Sequence, residues 1–165
     1  LFSRVPIDFY PLKKTNQKTP LPFSPDPSLS AIILDDDYYE LLKMGRETIE
    51  YNDVYISTIK IPYLILLKAK AHLDISNRGK IFNHADKTKH RNDIFRLIPY
   101  IDLEHDYDIE KVPKSILEDL NSFIILINRD TDVNKNLLHN LKVDKIITVD
   151  EIKDTLNKMA GNEEI

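Results

Sequence analysis

From Pro62 to the end of the chain, apolar residues return every three or four positions, and before that point they gather in short runs or alternate with polar ones. A spacing of three and four places apolar side chains on one face of an α-helix, whereas alternation suits a half-buried strand. The pattern predicts helices over about 62–78, 86–99, 114–128, 133–141 and 149–160. Pro62 and Pro113 suit first-turn positions, where the missing N–H costs nothing. Thr148 or Asp150 can cap the last helix, and Gly161 can close it. The acidic stretch "IDLEHDYDIE" (101–110) reads as a solvated connection.

The first third is organised differently. Residues 11–27, "PLKKTNQKTPLPFSPDP", hold five of the nine prolines, which predicts an extended connection. "SLSAIIL" (28–34) follows as a short apolar strand, and Asp35 to Asp37 then offer an N-cap for "DYYELLKMG", which stops at Gly45. "ETIEY" and "VYIST" flank Asn52 and Asp53 and predict a small hairpin. The expected fold class is α+β. A strand-containing segment with its Pro-rich connection spans 1–58, and a mainly helical domain spans 59–165.

At 165 residues and 42% hydrophobic content the chain suffices for one ordinary core. Its cysteine count of zero removes disulfides, thiolate metal sites and cysteine nucleophiles, and fits a reducing, cytoplasmic setting. The longest apolar run, Ile61 to Leu67, ends at Lys68, far short of the ~20 residues that a membrane span needs, so no membrane partner is expected. Net charge is −4, but it is unevenly spread. Residues 66–97 carry eight Lys or Arg against three Asp, a local charge of +5, which leaves −9 for the remainder. That asymmetry points to an anionic partner for one surface, against the plainer reading of two solvated helices.

On a helical wheel, Leu64, Leu67, Ala71 and Ile75 cluster on one face with Lys68 among them. An unpaired ammonium is costly to bury. Lys68 is therefore expected to reach a carboxylate or line an anion-binding cleft, unless its stem merely covers apolar surface while its head reaches water. Lys70 falls beside Asp74 at i,i+4 spacing, an exposed pair contributing only ~0.3–0.5 kcal/mol. In the next helix Ile94, Leu97 and Ile98 form the inner face, with His90 inside it and Asp93 at its edge. Lys89, Asn92 and Arg96 point the other way. Of His84, Asp86, His90 and Asp93, only the pairs Asp86/His90 and His90/Asp93 have one-face helical spacing, no HExxH pattern exists, and no metal ligand is assigned.

"YLILLKAKAHLD…KHRNDIFRL", preceded by "LSAIILDDDYYELL", resembles the AbiEii type of nucleotidyltransferase, a group of the polymerase-β-like superfamily that includes toxins of toxin–antitoxin and phage-defence systems. The resemblance covers roughly residues 1–100. It implies that Lys68, opening a Lys-x-x-Ala element with Ala71, contacts nucleotide phosphate, with Lys70, Lys89 and Arg91 as auxiliary cations. Asp93 matches the acid of the second element, and His90 and Asp93 are supporting residues. Asn92 replaces the basic residue usual before that acid, and Arg96 stands where a further Asp is frequent. No catalytic residue is assigned.

These enzymes hold Mg²⁺ on an Asp-x-Asp or Asp-x-Glu strand after a Gly-Gly or Gly-Ser turn. Gly45, Gly79 and Gly161 are the three glycines of the chain, and none is followed by Gly or Ser. Asp35 to Asp37 sit at a predicted helix start and are expected to be caps. The resemblance thus implies that residues 1–58 are a remnant of the nucleotidyltransferase domain and that the catalytic half lies upstream of Leu1. Mg²⁺ and NTP are implied for the complete protein, with none expected for this chain alone. RNA or protein would be the acceptor, and a cognate antitoxin a partner. The alternative is a non-enzymatic helical module that binds a partner protein or nucleic acid.

Overall fold

The structure is a computed structural model that describes residues 36–77 and 84–162. The predicted strand at 28–34, the Pro-rich connection and Asp35 lie outside the described residues. Within them the chain is α+β: α1 (Asp36–Gly45), β1 (Arg46–Tyr51), β2 (Val54–Ile59), α2 (Ile61–Asn77), α3 (His84–Leu97), α4 (Leu103–Asp106), α5 (Lys114–Arg129), α6 (Lys135–Leu141) and α7 (Val149–Ala160). Single 3₁₀ turns cover Ile98–Tyr100 and Ile109–Lys111. Each helix predicted from Pro62 onward is present, displaced by a few residues at most.

β1 and β2 pair antiparallel from Arg46↔Ile59 to Tyr51↔Val54. Asn52 and Asp53 between them have φ of 50° and 59°. Two consecutive positive φ values make a type I′ turn, whose twist matches that of the strands it joins. The pairs Ile49↔Ile56 and Tyr51↔Val54 share one face of this hairpin, and all four side chains are exposed. At the base, the Lys60 N–H donates to the Gly45 carbonyl at 2.8 Å. Gly45 is buried against Tyr63, so close that an added Cβ would lie 2.5 Å from the Tyr63 Cβ.

α2 is the central helix, packed against α1, α3 and α5. Its buried apolar residues are Tyr63, Ile65, Leu66, Ala69 and Leu73, with His72 buried beside them. This corrects the expected inner face: Leu64, Leu67, Ala71 and Ile75 are only half-buried. A helix covered on several sides is apolar on several sides, so its wheel singles out no unique face. α5 behaves as predicted, burying Ile116, Leu120, Phe123, Ile124 and Ile127 along a single stripe. α7 covers it with Ile152, Leu156, Met159 and Ala160.

Thr148 caps α7 in a reciprocal capping box with Glu151, and Gly161 ends the helix at φ 74°. α6 stops on Lys142, a non-glycine residue at φ 62°. The stretch 101–110 is more ordered than a solvated connection. Asp102 caps α4 and Asp108 caps the following 3₁₀ turn. Tyr107 between them donates its hydroxyl to the Met159 carbonyl at 2.7 Å and meets Tyr63 edge-on at 6.0 Å. Among the described residues no helix is long and apolar enough to cross a membrane.

Candidate anion-binding site

α2 and α3 fold back on one another, which brings residues far apart in sequence to one edge of the pair. The Lys68 Nζ donates to the Asp93 Oδ2 at 2.8 Å across 25 positions. The side chains are 21% and 27% exposed, so the pair sits at the rim of the core and can still meet a solute. Of the alternatives open for Lys68, the structure therefore gives it a carboxylate partner.

Around that pair lie further charges. Lys89, Asp93 and Arg96 fall at i, i+4 and i+7 on α3, which aligns them along one face. The Arg96 Nη1 is 3.5 Å from the Asp93 Oδ1, and its side chain is about half exposed. Lys89 is exposed and forms no ion pair among the described residues. His90 sits between these groups with its Nδ1 buried and without a hydrogen-bond partner among the described residues. Burial lowers the His90 pKa, and Lys68 and Lys89 add to that against the opposing pull of Asp93. His90 is accordingly neutral at pH 7, and the cluster holds three cations and one carboxylate. Arg96 is the member that sequence reasoning passed over; its i+3 spacing from Asp93 was the available signal.

The other two cations named from the sequence are elsewhere. Lys70 lies 3.1 Å from the Asp119 Oδ2 on α5 and 3.8 Å from the Asp74 Oδ1. The Tyr38 hydroxyl donates to that same Asp119 oxygen at 2.9 Å, so Lys70 belongs to a junction of α1, α2 and α5. Arg91 is buried, with a side chain only 5% exposed. Its Nη1 pairs with the Asp130 Oδ2 at the end of α5, while Nε and Nη2 both donate to the Asn92 Oδ1 at 3.2 Å. The structure therefore pairs Lys68 with Asp93 on the α3 face that also carries Lys89, and leaves Lys70 and Arg91 as ties between α5 and the α2–α3 pair. An open cleft of about 340 Å³, lined by His72, Ser76, Arg91, Ile127 and Asp130 among others, lies on the Arg91 side.

Among the described residues no three His, Asp or Glu side chains converge to hold an ion. Asp36 and Asp37 lie exposed in the first turn of α1, where they favour the helix dipole, and the Asp37 Oδ2 accepts from the Ser115 hydroxyl. The side chains of His84 and Asp86 lie outside the described residues. What the arrangement can do chemically is attract an anion toward Lys68, with Lys89 and Arg96 adding positive charge on the neighbouring face of α3. Comparison with family models, with curated proteins and with solved structures finds no match for this chain.

Proposed function

We propose that this chain supplies the helical, phosphate-facing part of an AbiEii-like nucleotidyltransferase, in which Lys68 contacts the nucleotide polyphosphate, Lys89 assists it and Arg96 balances Asp93. One observation carries the reading. The lysine and the acid that the resemblance singles out, 25 positions apart, meet at 2.8 Å, with Arg96 on the second oxygen of the acid. Charge-assisted contacts from such groups are the usual means of holding phosphate. In this reading the acids that hold Mg²⁺ lie outside the described residues. The chain's part is to bind and orient, and the acceptor in the complete protein would be RNA or protein.

Calorimetric titration of Mg·ATP into wild type and Lys68→Ala at low salt tests this. Weak binding by wild type, about tenfold weaker in the variant and fading as salt screens charges beyond ~10 Å, is the expected result. Radioactive NTP should label no acceptor. Equal affinities for both proteins, or incorporation of label by this chain alone, would contradict the proposal.

A second reading, a partner-binding module, has its own observation: Ile49, Tyr51, Val54 and Ile56 stand exposed on one face of the hairpin. An apolar sheet face of this kind invites a covering surface. Retained partner capture after Tyr51→Lys would count against it.

A further inference from the structure

Asp93 lies between two cations. Its Oδ2 accepts from Lys68 at 2.8 Å, and its Oδ1 is 3.5 Å from Arg96, one turn further along α3. To an ammonium group, a carboxylate and a phosphate present the same feature, a negatively charged oxygen at about 2.8 Å. The lysine with the best claim to phosphate is thus already engaged by an acid of its own chain. Both partners are partly exposed, so water and solutes compete for them. A polyphosphate carries several charges against one, and Asp93 has a second cation within a small side-chain movement.

We propose that Asp93 is a built-in competitor for anions at Lys68: it holds the ammonium in the ligand-free chain and shifts to Arg96 when a polyphosphate arrives. This rests on Lys68 being the phosphate contact. The device sets a threshold, since monovalent anions such as chloride or acetate cannot displace a tethered carboxylate, whereas a triphosphate can. It also gives Arg96 a function that depends on Asp93, as the seat to which the carboxylate moves.

Inorganic tripolyphosphate titrated at low salt is the probe. Asp93→Asn keeps the shape and one acceptor oxygen but removes the charge, and binding should tighten about fivefold, an amount typical of a partly exposed pair. In the Lys68→Ala background the same change should give no gain. Arg96→Gln should weaken binding more in wild type than in Asp93→Asn, where no carboxylate needs a new partner. Asp154→Asn, an equal charge change on an exposed position of α7, should leave affinity where it was. Lys68→Ala weaker than wild type with Asp93→Asn no tighter overturns the competitor and leaves the Lys68 assignment standing. Lys68→Ala as tight as wild type, or no binding by any variant including Asp93→Asn, overturns both. Thermal melting of each variant establishes that it is folded, and Arg96, about half exposed, can be replaced without disturbing the core.

Discussion

The guanidinium of Arg91, on α3, and the carboxylate of Asp130, which ends α5, are joined by an ion pair in which the arginine is almost wholly withdrawn from water. Asn92 accepts two more of its N–H groups, and the Asp132 N–H donates to the second Asp130 oxygen at 2.9 Å. A buried cation with its donors matched in this way fixes the position of α3 against α5. Removing one partner strands the other. Arg91→Ala should lower stability by about 2 kcal/mol, below the range for fully buried pairs because Asp130 retains some access to water. Arg91→Lys should recover little, since an ammonium cannot reproduce the fork that reaches Asp130 and Asn92 together. Urea unfolding of both variants reads this directly. A loss of only a few tenths in each would place Arg91 at the surface.

Gly45 ends α1 where the Tyr63 side chain crosses it. An alanine methyl there would come within 2.5 Å of the Tyr63 Cβ and 2.6 Å of its Cγ, atoms too near the α2 backbone to swing away. Gly45→Ala should therefore cost about 2–3 kcal/mol through forced separation of α1 and α2. Ordinary helix propensity alone would make the same change favourable by ~1 kcal/mol. The sign of the change in denaturation midpoint separates packing from propensity.

Asp53 and Lys142 adopt positive φ without being glycine, at 59° and 62°. Asp53→Gly creates the Asn-Gly pair favoured in type I′ turns, and Lys142→Gly gives α6 the usual left-handed cap residue. Each should raise Tm by about 1–3 °C. Asp53→Ala and Lys142→Ala, which relieve nothing, should not.

Acidification acts on His90. Its pKa is lowered in the fold, by burial first and then by Lys68 and Lys89, from an ordinary value of 6.5. The neutral form is thus the one that the fold favours. As pH falls below about 6.5 the unfolded chain takes up a proton that the folded chain resists, so stability declines until pH passes below the lowered folded value. Above that window His90 contributes no pH dependence. Urea midpoints at pH 7.5 and 5.5 should differ less for His90→Gln than for wild type. An identical difference in both proteins would mean that His90 titrates like a free imidazole.

Much of the fold was legible because its signals are local. α5 and α7 carry one apolar stripe each, and Thr148 with Glu151 and Gly161 mark the ends of α7 in sequence as they do in space. The hairpin followed from alternation around Asn52 and Asp53. α2 was harder, since a helix touched by four others shows no unique stripe to identify which side faces inward. That Lys68 reaches a carboxylate could be expected from its place among apolar residues of α2. The roles of Lys70 and Arg91 could not, because their partners Asp119 and Asp130 lie far along the chain on α5 and no spacing rule connects them. Tyr107 was hidden in an acidic stretch for the same reason: its acceptor, the Met159 carbonyl, is 52 residues away.

Chemical-shift mapping with Mg·ATP on the isotopically labelled chain at low salt gives the most direct reading of where an anion binds. Perturbations should centre on Lys68, Lys89, His90, Asp93 and Arg96 and shrink together as salt rises. Shifts confined to the His72–Arg91–Asp130 cleft or to the Tyr51–Val54 hairpin, or no shifts at all, would contradict the assignment of the α2–α3 rim as the phosphate-facing surface.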